Sequence, residues 1–271
     1  MNKSRLLICS DIHGNLQALQ AMLHKKEQLK IDSMVCLGDV VGYGADPEAC
    51  FELLKEQDCL ILKGNHEAML LGESSSKKCS ELGKQSIEWT AKHITEKTRA
   101  AIQGLPFSIE NSEIAFFHAG PQDNGYWPYC NQPEQLLEIW GETSASMVFY
   151  GHTHRARLTV LENKQIVSDK FILKNTMINL PLQQNQRYLV NVGSVGQQRD
   201  SKTDAGFVVL EYNEISFTVL YYRILYNSLA AYQAIRHRGC GQLGANYLIR
   251  ESWRRNLYGM LDNGRIRIRR K

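Results

Sequence analysis

Residues 5–15 read RLLICSDIHGN, a short apolar run that passes straight into Ser10-Asp11-Ile12-His13-Gly14-Asn15. Behind it, Leu16, Leu19, Met22 and Leu23 recur three and four apart, the spacing of one helix face. The reading is strand, polar loop, helix. It repeats downstream: Met34 to Leu37 runs into Gly38-Asp39, a helix is expected from about Pro47 to Gln57, and Cys59 to Leu62 runs into Gly64-Asn65-His66-Glu67. Three such βα units in series predict an α/β fold.

Further strands are expected at Ile114–Phe117, Met147–Tyr150, Arg157–Leu161, Tyr188–Asn191, Phe207–Glu211 and Ser216–Tyr221, the later ones hairpin-like. Ser74, Ser75 and Ser76 with Lys77 and Lys78 read as a loop, and residues 79–103 as helical. Beyond Tyr222, helical patterns at Ser228–Ile235 and Ala245–Tyr258 are separated by the Gly239–Gly244 break.

With 271 residues, 43% hydrophobic and 22% charged, the chain can bury a large core and is unlike a disordered one. No apolar run is long enough for a membrane span and no signal-peptide layout opens the chain, so the expected location is cytoplasmic. The seven cysteines are odd in number and lack C-x-x-C spacing, which argues against a disulfide framework or a zinc knuckle. The net charge of +4 hides an asymmetry: residues 221–271 carry 11 Lys/Arg against 2 Asp/Glu, leaving 21 against 26 in the rest. The densest cluster, Arg265 to Lys271, reads first as a solvated terminus and second as a contact for a polyanion.

The chemistry is carried by residues standing just after the apolar runs: Asp11 and His13, Asp39, Asn65 and His66, His118, and His152 and His154. Each falls at a strand's C-terminal end, the edge where open α/β sheets bind ligands, so residues spread along the chain can meet at one site. Carboxylates, imidazoles and an amide oxygen form a mixed N/O donor set that suits Mn²⁺, Fe or Zn²⁺ better than Ca²⁺ or Cu(I). Asp11 and Asp39 read alternatively as helix caps, but capping leaves the histidine two residues after Asp11 unexplained. His24, His93 and His237 lack this context and read as structural.

The ordered blocks D-x-H-G (11–14), G-D (38–39), G-N-H-E (64–67), H-A-G (118–120) and G-H-T-H (151–154) resemble those of the calcineurin-like metallophosphoesterases, over roughly residues 5–210. The resemblance implies a four-layer α/β/β/α sandwich, taken as 1–221; the chain's own pattern and charge make 222–271 a helical, basic appendage packed on or extending from it. It implies two divalent metal ions, Mn²⁺ foremost with Fe, Zn²⁺ or Ni²⁺ as alternatives. Asp11, His13, Asp39 and His154 would hold one ion, and Asp39, Asn65, His118 and His152 the other, Asp39 bridging. A metal-bridging hydroxide would then cleave a phosphomonoester or phosphodiester. His66 resembles the active-site histidine that donates toward the leaving-group oxygen, and Glu67 would orient its neighbours.

After Gly38-Asp39 the chain continues Val40-Val41-Gly42-Tyr43-Gly44, without the Asp and Arg of the protein serine/threonine phosphatase branch. This stretch and Asn191-Val192-Gly193-Ser194-Val195-Gly196-Gln197 are similar to the bacterial diadenosine-tetraphosphatase-like and phosphodiesterase-like branch. The expected partner is therefore a phosphorylated small molecule or nucleotide. Arg155 and Arg199, the latter beside Asp200, are nominated for the phosphate. Tyr126, Trp127 and Tyr129 read first as loop aromatics packed on the body and second as a stacking surface for a base. Competing readings are a phosphoprotein phosphatase and a non-catalytic metal-binding scaffold using its basic tail.

Overall fold

The computed structural model describes residues 4–74, 80–120, 127–181, 185–200, 202–213 and 216–240. Strand β1 (Ser4–Cys9) is followed by α1 (Leu16–Leu29), β2 (Ser33–Cys36), α2 (Pro47–Glu56), β3 (Leu60–Ile61) and α3 (Asn65–Leu70). Then come α4 (Glu81–Ala91), α5 (Glu96–Gln103), β4 (Ser108–Glu110), β5 (Ile114–Phe117), α6 (Pro133–Glu142) and β6 (Met147–Tyr150). The described part closes with β7 (Arg157–Glu162), β8 (Gln165–Phe171), β9 (Thr176–Leu180), β10 (Gln186–Asn191), β11 (Ala205–Asn213), β12 (Ser216–Ile224) and α7 (Ser228–Arg238).

The strands form two six-stranded mixed sheets, ordered β3-β2-β1-β11-β12-β9 and β4-β5-β6-β10-β7-β8. The side-chain period of two explains why the runs are apolar throughout rather than alternating. Leu6 and Ile8 of β1 pack with Phe149 and Val190 of the other sheet, while Leu7 and Cys9 pack on the opposite face with Leu19 and Met22 of α1. Sheet two shows the same division: Met147 and Phe149 face the first sheet, and Val148 and Tyr150 face Leu136 and Ile139 of α6. The order of layers is thus α/β/β/α. Each fully buried Leu or Phe in these clusters contributes about 1.5–3 kcal/mol by leaving water.

Helix ends follow local chemistry. Asn15 caps α1 by accepting the Ala18 N–H, and Pro47 opens α2, where a missing N–H costs nothing. The helical stretch expected over 79–103 is two helices, because Thr95 accepts the Thr98 N–H as a new cap and is itself held by Glu48. β4, α6, β8 and β9 have no counterpart in the sequence reading. β8 is an edge strand with mostly exposed, polar positions, so it carries no apolar run to find. Tyr222–Ile224 continue β12, and α7 packs its Ala231 and Ile235 against Ala45 and Trp89. The helix expected at 245–258, the basic cluster 265–271 and Tyr126 lie outside the described residues. Among the described residues no helix is long and apolar enough to cross a membrane.

β1, β2 and β3 run parallel, as do β5, β6 and β10. Their C-terminal ends deliver the loops that carry the polar cluster.

Candidate metal centre

Five residues of the cluster hold backbone in the left-handed region: Asp11 (φ 56°), His13 (φ 50°), Asp39 (φ 54°), His152 (φ 63°) and His154 (φ 58°). Non-glycine residues seldom adopt it, and such conformations persist only where the surroundings enforce them, commonly at functional sites. Here the loops brace one another. The amides of Asp11, His13 and Gly14 donate to the carbonyls of Gly38, Asp39 and Val40, and the His152 amide donates to Asp11 Oδ2 at 3.0 Å.

One group comprises Asp11, His13, Asp39 and His154, all buried, with one candidate donor atom each within 4.8 Å of the others. A second comprises Asp39, His118 and His152, equally buried. Asn65 joins the second group, its Oδ1 3.1 Å from His118 Nε2. The seven residues singled out by sequence therefore stand together, with Asp39 common to both groups.

Hydrogen bonding decides which ring atoms face inward. Nδ1 of His13 contacts the Val41 carbonyl at 3.0 Å, Nδ1 of His118 the Leu37 carbonyl at 3.0 Å, and Nδ1 of His154 the Gln197 carbonyl at 2.5 Å. A carbonyl cannot donate, so each Nδ1 carries a hydrogen, and Nε2 is the atom left to offer a lone pair whenever the ring is neutral. Those lone pairs face other acceptors: His13 Nε2 lies 3.2 Å from His154 Nε2, His154 Nε2 3.2 Å from Asp11 Oδ1, and His118 Nε2 3.3 Å from Asp39 Oδ2. Asp11 Oδ1 and His152 Nε2 are buried without a hydrogen-bond partner. Acceptors converging on acceptors away from water are costly unless a cation lies between them, and the N/O donor set fits a divalent metal ion.

Charge follows the same logic. Burial would raise the carboxyls of Asp11 and Asp39, but the surrounding imidazoles, His154 for Asp11 and His118 for Asp39, hold both well below the usual carboxylate range. Burial opposes the charged form of His118, yet in the absence of a cation the Asp39 carboxylate draws a proton onto it and lifts it to about 9; a divalent ion held between the two would take that proton's place. His152, buried and beside His118, is pushed down to about 3.

Glu67 holds the β2 loop. Its carboxylate accepts the amides of Asp39 (2.8 Å), Val40 (2.8 Å), Val41 (3.1 Å) and Gly64 (2.9 Å), which fixes the turn that presents Asp39. Burial and the Asp39 charge raise Glu67 to about 7. His66 follows Asn65 at the start of α3, donates its amide to Asp39 Oδ1 at 2.9 Å, and leaves Nδ1 buried without a hydrogen-bond partner. Burial pushes its imidazole down to about 4, so the ring is neutral at pH 7. Its ring packs against those of His13 and Tyr43, at centroid separations of 4.7 and 4.8 Å. Gly42 makes room for it: at φ +85° its backbone disfavours any side chain, and a Cβ there would sit 2.1 Å from His66 Nδ1.

The nominated arginines differ. Arg199 is half-buried at the rim, its Nη1 donating to the Tyr129 hydroxyl at 3.2 Å and its Nη2 to Gln197 Oε1 at 3.3 Å. Its charge reaches the cluster, depressing His66 while Tyr129, Tyr43 and Asp11 favour its own charged form. Arg155 is exposed and donates through Nε to the Arg199 carbonyl at 3.0 Å, so its described contact supports Arg199. Asp200 is paired with the buried Arg223. Tyr129 lies against His152 (4.4 Å between ring centroids) and Trp127 against His118 (5.7 Å). Sequence reasoning missed Tyr43 as a wall of the cluster and the anchoring carbonyls of Val41, Leu37 and Gln197. Backbone carbonyls leave no side-chain signature; the tyrosine could have been suspected from its place in the glycine-rich turn.

A model of the calcineurin-like phosphoesterase superfamily domain matches residues 5–214. An uncharacterized protein of Methanocaldococcus jannaschii is 32% identical over 239 residues, spanning 87% of this chain and 93% of its own. Serine/threonine-protein phosphatase 1 of Salmonella typhimurium is 28% identical over 172 residues, spanning 56% of this chain and 80% of its own. Among solved structures, a metallophosphoesterase from Sphaerobacter thermophilus superposes with a TM-score of 0.77 at 25% identity, covering 92% of this chain and 99% of its own. A hypothetical protein of Pyrococcus horikoshii OT3 shares the fold, with a TM-score of 0.71 at 16% identity and coverage of 90% and 97%.

Proposed function

Because the chain belongs to the calcineurin-like phosphoesterase superfamily, we propose that its buried Asp/His cluster holds two divalent cations and hydrolyses a phosphomonoester or phosphodiester. Asp11, His13, Asp39 and His154 would hold one ion, and Asp39, Asn65, His118 and His152 the other, with Mn²⁺ the first candidate and Fe, Zn²⁺ or Ni²⁺ as alternatives. The observation that carries this reading is the set of inward lone pairs on His13, His118 and His154, each anchored through Nδ1 and each aimed at another acceptor. When bound, such a pair of ions supplies an activated water and neutralises charge at phosphorus.

The chain's own residues supply the rest. Asp39 ties the two groups together, and Glu67 keeps its loop in place. Neutral His66, beside Asp39, is positioned to donate a hydrogen bond to the leaving-group oxygen. Arg199 presents its guanidinium at the rim, where two oxygens of a phosphate can be met bidentately.

A phosphoprotein phosphatase is the second reading, favoured by the similarity to the Salmonella typhimurium enzyme. Against it, the turn after Asp39 carries Val40–Gly44 and packs Tyr43 against His66, leaving no Asp–Arg pair in that turn. The test is a comparison of initial rates on an aryl phosphomonoester, the matching diester and a phosphoserine peptide in the presence of Mn²⁺. Faster turnover of either small ester supports the first reading. A clear preference for the peptide would replace it with the second.

A further inference from the structure

We infer that Trp127 and Tyr129 form a subsite for the planar organic part of the ester, an aryl group or nucleobase, at the His118–His152 side of the cluster. This rests on the phosphoesterase reading of that cluster.

The two rings come from a single Trp-Pro-Tyr segment between β5 and α6. Pro128 and Cys130 are buried, and the Cys130 thiol donates to the Ala119 carbonyl at 3.0 Å, so the backbone is pinned to the turn that carries His118. Trp127 and Tyr129, which alternate with these anchors, point elsewhere. Trp127 meets the His118 ring nearly at right angles (73°) and donates its indole N–H to Ser74 Oγ at 3.2 Å. Tyr129 tilts over His152 at 35° while remaining 48% exposed. His118 and His152 are themselves 5.1 Å apart, so the four rings form one aromatic margin along that side of the cluster.

Two features distinguish this margin from surface packing. A large aromatic left half in water immediately beside a buried polar cluster is an unfilled contact surface. The Tyr129 hydroxyl also accepts from Arg199 Nη1, which sets the cation for a phosphate directly beside the ring face for an organic group. A flat ring is what such a face receives well, since every base or aryl group has a π surface to stack. The short aliphatic stem of a phosphoserine offers nothing comparable.

The experiment is calorimetric titration of Mn²⁺-loaded protein with adenosine and uridine monophosphates and with ribose 5-phosphate, alongside hydrolysis of a chromogenic ester by the same preparation. We expect both nucleotides to bind roughly 10-fold or more tighter than the sugar phosphate, the size a stacked base adds. Trp127→Leu and Tyr129→Leu should shrink that ratio to below about 3-fold, the loss expected when the stacking face is removed. Tyr129→Phe should keep the ratio and weaken all three ligands, because it retains the ring and releases Arg199. Equal binding of all three by an active wild-type protein would overturn the subsite while leaving the phosphoesterase reading intact, as would an unchanged ratio in well-folded variants. A protein that carries metal but hydrolyses neither ester type would instead overturn the parent reading.

Discussion

His13 and His154 point their Nε2 atoms at each other across 3.2 Å, although the Nδ1–H groups of both rings already donate to carbonyls, those of Val41 and Gln197. Two lone pairs at that distance in a buried site repel, and the Asp11 carboxylate beside them adds a third acceptor. A cation should therefore stabilise the fold by binding the native state alone. At about 100 times its Kd a single site adds roughly 2.7 kcal/mol, which for a chain of this size should raise Tm by roughly 5–10 °C. Scanning calorimetry of chelator-stripped protein with and without Mn²⁺ checks this. Asp39→Asn or His152→Ala should abolish hydrolysis and reduce the metal-induced rise, with the fold retained by circular dichroism.

His66 touches Asp39 only through its backbone amide, and its ring has no carbonyl anchor of the kind seen for His13, His118 and His154. His66→Ala should accordingly keep the normal metal content and slow turnover by about 10²–10⁴-fold, the usual contribution of a positioned acid or hydrogen-bond donor. Loss of metal in that variant would make His66 a ligand instead.

Gly42→Ala should reproduce part of that defect from outside the cluster. The added Cβ would overlap His66 Nδ1 at 2.1 Å on a backbone held at φ +85°, so the ring must move. We expect kcat to fall with metal content unchanged, measured by steady-state kinetics and metal analysis.

The site was more legible in the sequence than the sheets around it. Asp11, His13, Asp39, Asn65, His118, His152 and His154 each follow an apolar run, and the parallel strands β1, β2, β3, β5 and β6 bring those ends to one place. The antiparallel margin was only partly readable: β8 and β9 are edge strands with exposed positions, and exposure removes the apolar pattern by which strands are recognised. Arg155 and Arg199 looked equivalent as letters. What separates them is the Tyr129 hydroxyl and the Arg199 carbonyl, contacts between segments distant in the chain.

Asp169 tests a contact outside the proposed ligand set. It pairs with buried Arg157 and accepts from Thr159 Oγ1 at 2.8 Å, and the guanidinium holds its carboxyl below the usual range. Asp169→Asn should cost about 2 kcal/mol at neutral pH, less than the 3–5 of a fully buried pair because Asp169 is partly exposed. A depressed carboxyl stabilises the fold above its unfolded pKa of about 4 and loses that contribution as pH falls through the folded value. The gap between wild type and variant in urea denaturation should therefore close in acid.

The account stands most directly on a metal titration of stripped protein, followed simultaneously by bound-ion stoichiometry and by hydrolysis of a chromogenic phosphate ester. It predicts no turnover without cations, two Mn²⁺ bound per chain, and activity that appears as the sites fill. Undiminished turnover by fully stripped protein, or a cluster that takes up no divalent ion, would contradict it.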